Sequence, residues 1–223
     1  SKYSWFNLGG AAEVFFRPEN KNQLINFLKE IKGKNQQIHI LGAGSNTLIR
    51  DAGISGAVIK LGAHFTDIRL LEKDTIEVGA AMLDRQVSNF ALNNNISNLE
   101  FLSCIPGSIG GAIAMNSGCY GSDMSKILLS IKVIDYSGNE KEIKKKEIKF
   151  HYRGTDIPND YIILSAVLKG NVSSKTLIAT KQKKLIERKK KSQPSQVKTG
   201  GSTFKNNNKK KAWMLIKEAG CEK

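Results

Sequence analysis

The sequence predicts an α+β fold, and three observations lead to it. Short apolar runs bounded by glycine or polar residues recur along the chain. Several are separated by segments whose apolar residues repeat every three to four positions. The 223 residues, 40% of them hydrophobic, suffice to build a real core.

Taken in order, residues 13–17 read as a first strand, and Asn22 to Ile31 as a helix with Leu24, Ile25, Phe27, Leu28 and Ile31 on one face. Strands follow at 37–41, 57–61 and 75–80. Leu83 to Leu92 carries Leu83, Val87, Phe90 and Ala91 at helical spacing, and further strands read at 130–135 and 161–168. Beyond Gly170 the pattern changes. Ser173 to Lys191 reads as a long basic amphipathic helix bearing Leu177, Ile178, Leu185 and Ile186, closed by the breaker Pro194 and the pair Gly200-Gly201. A last helix, Ala212 to Ala219, runs into Gly220 as its C-cap. The change near residue 170 marks a domain boundary.

No segment reads as a secretory signal, and the apolar runs are far shorter than the roughly 18–20 residues a bilayer demands, so the sequence predicts a cytoplasmic protein without a membrane partner. Cys104, Cys119 and Cys221 are odd in number and widely spaced, unlike a disulfide framework or a zinc site, and read as reduced thiols. His39, His64 and His151 stand apart from one another and from every cysteine, so no metal site is expected. The net charge of +15 comes largely from Lys144-Lys145-Lys146, the Lys181–Lys191 stretch and Lys209-Lys210-Lys211. Charge alone does not choose among nucleic acid, a membrane surface, an anionic small substrate or plain solvation.

The chemistry-bearing motifs are glycine-rich. The strand ending at Leu41 opens into Gly42-Ala43-Gly44-Ser45-Asn46, a turn able to converge backbone N–H groups on an anion. The dinucleotide fingerprint needs a third glycine where Thr47 stands, and the P-loop lysine is missing, so neither familiar nucleotide fold is indicated. A second loop, Ile105-Pro106-Gly107-Ser108-Ile109-Gly110-Gly111-Ala112, continues to Met115-Asn116 and would let backbone lie against a flat ring or a diphosphate. Two such loops suggest one extended ligand.

These loops, with Arg50-Asp51, Asn116-Ser117-Gly118-Cys119-Tyr120-Gly121, Tyr152-Arg153 and Gly201-Ser202-Thr203-Phe204-Lys205-Asn206, resemble in order and spacing the UDP-N-acetylenolpyruvoylglucosamine reductases (MurB), within the vanillyl-alcohol-oxidase-like FAD-binding proteins. The resemblance spans nearly the whole chain. It implies a two-subdomain PCMH-type FAD-binding module, residues 1–55 and 56–170, followed by a truncated α+β substrate-binding domain, 171–223. It implies FAD as cofactor and NADPH as co-substrate, with reduction of UDP-N-acetylglucosamine enolpyruvate to UDP-N-acetylmuramate in peptidoglycan precursor synthesis. The partner is thus a UDP-sugar and not nucleic acid, and the protein is expected to be a monomer. Other FAD-dependent oxidases or dehydrogenases on the same scaffold, and a basic nucleic-acid-binding protein, are the alternatives. The latter lacks interleaved aromatics, which make up only 7% of residues.

Carried over residue by residue, the resemblance assigns cofactor contacts to Gly42, Ala43, Gly44, Ser45, Asn46, Pro106, Gly107, Ser108, Gly110, Gly111, Asn116, Tyr120 and Gly121. It makes Arg153 and Ser202 catalytic, and gives the substrate Tyr152, Arg188, Lys191, Lys205 and Asn206. Hydride addition to one alkene carbon builds enolate character at the other, which calls for a cation and a proton donor. The planar guanidinium of Arg153 suits the first task, and the family's serine, matched by Ser202, performs the second. Asn207 stands where proline is usual in the family. The family's third catalytic residue is a glutamate near the C-terminus; Glu218 and Glu222 match a different segment, so turnover by these 223 residues alone is expected to be severely impaired.

Overall fold

The computed structural model describes residues 2–34, 36–193, 201–207 and 210–221; Pro194, Gly200, Lys209 and Glu222 lie outside them. The first apolar run forms β1 (Ala12–Phe16), followed by α1 (Lys21–Ile31), β2 (Ile38–Ile40) and β3 (Ile54–Ile59). Asn20 caps α1 by accepting from the Gln23 N–H at 3.0 Å, satisfying one of the helix's free donors. The three strands form a parallel sheet in the order β1-β3-β2, with Phe16 and Ile40 both in register with Ile59. Their carboxyl ends therefore share one edge, from which Arg17, Leu41 and Lys60 continue.

The second sheet contains β4 (Ile68–Glu72), β5 (Thr75–Gly79), β6 (Leu128–Asp135), β7 (Glu140–Lys144) and β8 (Tyr161–Lys169). It is antiparallel in the order β7-β6-β8-β5-β4. Strand alternation sends its side chains to two cores. On one face Ile134, Ile162 and Leu164 meet Leu24 and Leu28 of α1, with Ile59 and Phe65. Phe16 stacks on Phe27 there at 4.0 Å between ring centroids. On the other face Ile76, Val78, Ile131, Val133 and Leu168 pack with Val87 and Ala91 of α2 (Asp84–Asn93) and with Ile109, Ala112 and Ile113 of α3 (Ile109–Ala114). Each fully buried leucine or isoleucine contributes roughly 1.5–3 kcal/mol, so these contacts hold the sheets and helices together.

Three elements depart from the sequence reading. The second glycine loop closes at Ser108, and Ile109–Ala114 is helical, because Ile109, Ala112 and Ile113 share one buried helical face. A short helix α4 (Met124–Ile127) precedes β6. The long helix α5 (Lys175–Ser192) forms as predicted but docks mainly through polar contacts. Ile178 is buried while its neighbour Leu177 is 66% exposed, since adjacent helical positions lie about 100° apart. Buried Gln182 donates to Ser88 Oγ at 3.1 Å and Asn89 Oδ1 at 3.2 Å on α2. Lys181 pairs with buried Glu100 at 3.1 Å, and Lys189 Nζ donates to the Cys104 carbonyl at 2.6 Å. The last helix, α6 (Ala212–Glu218), leaves Trp213, Met214 and Leu215 exposed. Among the described residues no helix is long and apolar enough to cross a membrane.

Candidate functional site

Ligands of parallel sheets collect where the strands' carboxyl ends open. Here that edge carries Gly42–Asn46 after β2 and Lys60 after β3. Lys60 donates from Nζ to the Gly42 carbonyl, fixing the start of the turn. Burial, then the neighbouring Arg17 charge, lowers the Lys60 pKa, so two cations crowd this edge. Among the described residues, none accepts a hydrogen bond from the backbone N–H of Gly42, Ala43, Gly44, Ser45 or Asn46. A run of open donors in a turn is an anion-binding concavity.

The amino-terminal segment covers this turn. Trp5 N donates to the Gly44 carbonyl at 3.2 Å, and a Cβ on Gly44 would lie 2.5 Å from the Tyr3 carbonyl oxygen. With φ at +75°, position 44 requires glycine on both steric and conformational grounds. The Trp5 indole N–H beside it is buried and has no acceptor among the described residues.

The second loop is pinned to the first. Gly110 N donates to Ala80 O at 2.9 Å and Ile109 N to Met82 O at 3.0 Å, while Gly107 O accepts from Asp84 N at 3.1 Å. Its free edge faces Gly42, where a Cβ would meet Ser108 Oγ at 2.7 Å and the Gly111 Cα at 4.0 Å. Gly111 is exposed, and a Cβ there would meet nothing nearer than Ser108 Oγ at 3.6 Å. Alanine is the better helix former by about 1 kcal/mol, so packing within the protein gives no reason for glycine at this position. Beneath Gly107 lies Asp84, fully buried, with neither carboxylate oxygen partnered among the described residues; burial pushes its pKa up to about 8.

The proposed catalytic residues meet across about fifty positions of sequence. Arg153, at φ +63°, turns its guanidinium to the backbone of the Ser202 segment, with Nη1 donating to Thr203 O at 3.1 Å and Nη2 to Ser202 O. Tyr152 Oη accepts from Asn206 N at 3.4 Å, and the Asn206 side chain in turn accepts from Ala212 N at 2.9 Å. Arg188 stacks on Tyr120, its guanidinium 4.6 Å from the ring centroid, and Tyr120 Oη lies 3.4 Å from Ser192 Oγ, so α5 joins the same cluster. Asn116 serves as a brace: its Nδ2 donates to His151 O at 3.3 Å and its Oδ1 accepts from Ser125 N at 3.1 Å. Pro106, Gly121, Lys191 and Lys205 are exposed, and Lys191 and Lys205 form no ion pair among the described residues. No group of three or more His, Cys, Asp or Glu among the described residues is placed to hold a metal.

Sequence reasoning passed over Lys60, Trp5 and Asp84. A lysine directly after a strand that ends beside the turn was the available signal for the first. The other two depend on chain segments meeting in space. A recess of about 620 Å³ lined by Leu28, Gln37, Ile38 and Tyr136 lies at the amino end of β2, away from the glycine loops.

These features define a flavin-binding class of fold, and the family description "FAD binding domain" matches residues 12–144. Within that class the chain belongs to the UDP-N-acetylenolpyruvoylglucosamine reductase family. It is 48% identical to the reductase of Pelagibacter ubique over 221 residues, covering 98% of this chain and 73% of that protein. It is 42% identical to that of Rickettsia bellii over 217 residues, covering 97% and 72%. The crystal structure of the Thermus caldophilus reductase superposes with a TM-score of 0.86 at 29% identity, over 98% of this chain and 77% of that one. A Cu,Mo-CO dehydrogenase chain shares the fold at a TM-score of 0.56 and 12% identity, over 74% of this chain and 62% of that one.

Proposed function

We propose that the chain binds FAD between Gly42–Asn46 and Pro106–Gly111 and uses it to reduce UDP-N-acetylglucosamine enolpyruvate to UDP-N-acetylmuramate, with NADPH as reductant. The observation that carries this reading is the facing of Gly42 and Gly111, where absent side chains leave a slot bordered by backbone donors with no protein partner. The residues present fit the cofactor: the open amides of 42–46 suit its diphosphate, and the orphaned Trp5 indole N–H is a further donor beside them. Bound FAD supplies the hydride chemistry.

The chain's own residues supply the rest. Arg153 offers a planar, permanently charged fork to the substrate carboxylate and to enolate charge developing beside it. Its bonds to Ser202 O and Thr203 O also hold the Ser202 segment, so one side chain both steadies the proton donor and stabilises the charge that the proton quenches. Ser202 gives its hydroxyl proton to the enolate carbon. Tyr152, Arg188, Lys191, Lys205 and Asn206 form the polar side that meets the UDP diphosphate. On this reading the chain has three parts, residues 1–55, 56–170 and 171–223, with β3 running across the first boundary. The protein acts as a cytoplasmic monomer, with the charge of +15 drawing in the anionic substrate and no role in nucleic-acid binding.

The test is FAD titration of the purified protein, followed by anaerobic mixing of the loaded protein with NADPH and then with the enolpyruvyl sugar. Saturable one-to-one binding, flavin bleaching by NADPH and recovery of colour on adding the sugar support the proposal. Absence of FAD uptake overturns it.

A further inference from the structure

Cys104 and Cys119 are fourteen intervening residues apart in sequence but adjacent in space, and the function proposed above uses neither thiol. Cys104 ends the 3₁₀ turn Glu100–Cys104 and stands two residues before Pro106. Cys119 lies in the two-residue strand Gly118–Cys119, which packs against that turn and pairs with Ser122–Asp123. The two thiols are in hydrogen-bond contact, and Cys119 Sγ also donates to Phe101 O at 3.5 Å. Ser103 Oγ is 3.8 Å from Cys104 Sγ, and Lys189 reaches over from α5 to donate to the Cys104 carbonyl at 2.6 Å. Cys104 is 6% exposed and Cys119 only partly exposed, so a small reagent has access where a protein thiol does not. Cys221 is exposed on the far C-terminal segment.

We propose that Cys104 and Cys119 form a reversible dithiol–disulfide site, oxidised by small hydroperoxides. Contact between the thiols removes the main obstacle to a disulfide, which needs Cβ atoms about 3.5–4.5 Å apart. The roles are unequal. The hydrogen bond from Cys119 pulls the Cys104 pKa down to about 6, aided by Ser103 and the Lys189 charge and opposed by burial. The hydrogen bond to Cys104, burial and the Cys104 negative charge push Cys119 up. Cys104 is therefore the attacking thiolate and Cys119 the resolving thiol.

In the first step the Cys104 thiolate attacks one oxygen of hydrogen peroxide. The O–O bond breaks, hydroxide leaves and takes up a proton as water, and Cys104 becomes a sulfenic acid. In the second step Cys119 loses its proton and its sulfur attacks the Cys104 sulfur; the S–S bond forms as the S–O bond breaks, releasing a second water. Two thiols lose two electrons in all, and one peroxide becomes two waters. The new bond would join the stem of the Pro106–Gly111 loop to the turn at Tyr120.

The test is thiol titration and non-reducing peptide mapping of the intact protein after a modest excess of hydrogen peroxide. The expected result is loss of two of the three thiols, a peptide pair joining Cys104 to Cys119 lighter by two hydrogens, and full recovery with dithiothreitol. Cys119→Ser should instead accumulate sulfenic acid at Cys104, trapped by dimedone. Separately oxidised cysteines in the unsubstituted protein, or links involving Cys221 alone, overturn the proposal. The unsubstituted protein decides the matter even where a serine variant folds poorly.

Discussion

Asp84 is buried beneath Gly107 with no partner for either oxygen among the described residues, and the sign and size of its pH effect follow from that. Burial raises its pKa from 3.8 to about 8, so the folded chain holds a proton that the unfolded chain releases. Below about pH 4 both states are protonated and the group costs nothing. As pH rises towards 8, each unit lowers the folding equilibrium constant about tenfold, and the stability present in acid is lost. Asparagine keeps the shape and does not titrate. In urea denaturation at pH 5, 6 and 7, the stability of Asp84→Asn relative to the unsubstituted chain should therefore rise by about 3 kcal/mol across the series. A difference that stays flat with pH would mean that Asp84 is ionised and compensated in the folded state, refuting the reasoning.

Gly44→Ala should destabilise the chain by about 1–3 kcal/mol in the same assay, since φ is +75° and the new Cβ would press on the Tyr3 carbonyl. Lys181→Met should cost about 2–3 kcal/mol by leaving buried Glu100 without its cation, less than for a fully buried pair because Lys181 is half exposed. Arg153→Lys should leave flavin reduction by NADPH unchanged in stopped-flow and slow reoxidation by the enolpyruvyl sugar at least about tenfold, because an ammonium lacks the fork. Ser202→Ala should behave likewise; equal slowing of both half-reactions would argue against Ser202 as proton donor.

Much of the scaffold was legible because it follows local periodicity. The apolar stripe of α1, the runs of β5, β6 and β8 and the glycine turn after β2 are written in consecutive residues. The antiparallel order that puts β8 between β5 and β6 was not, because no local signal records which strands pair. The docking of α5 was equally hidden: Gln182, Lys181 and Lys189 look like solvated helix residues until Ser88, Glu100 and the Cys104 carbonyl meet them. Arg153 and Ser202 acquired roles only through the order of several motifs, and the structure brings the arginine to the serine's backbone. The contact between Cys104 and Cys119 contradicts no sequence signal. Wide spacing excludes a small framework of disulfides and says nothing about two thiols that folding brings together.

FAD binding to the unsubstituted protein and to Gly111→Ala, compared by fluorescence titration, tests the cradle most directly. The Gly111 Cβ would have room within the protein, so the variant should melt no lower without cofactor. It should nevertheless bind FAD at least about tenfold more weakly, because the methyl group enters the slot facing Gly42. Equal affinity in the two proteins would contradict the placement of FAD between the loops, and no binding to either would contradict the flavin reading itself.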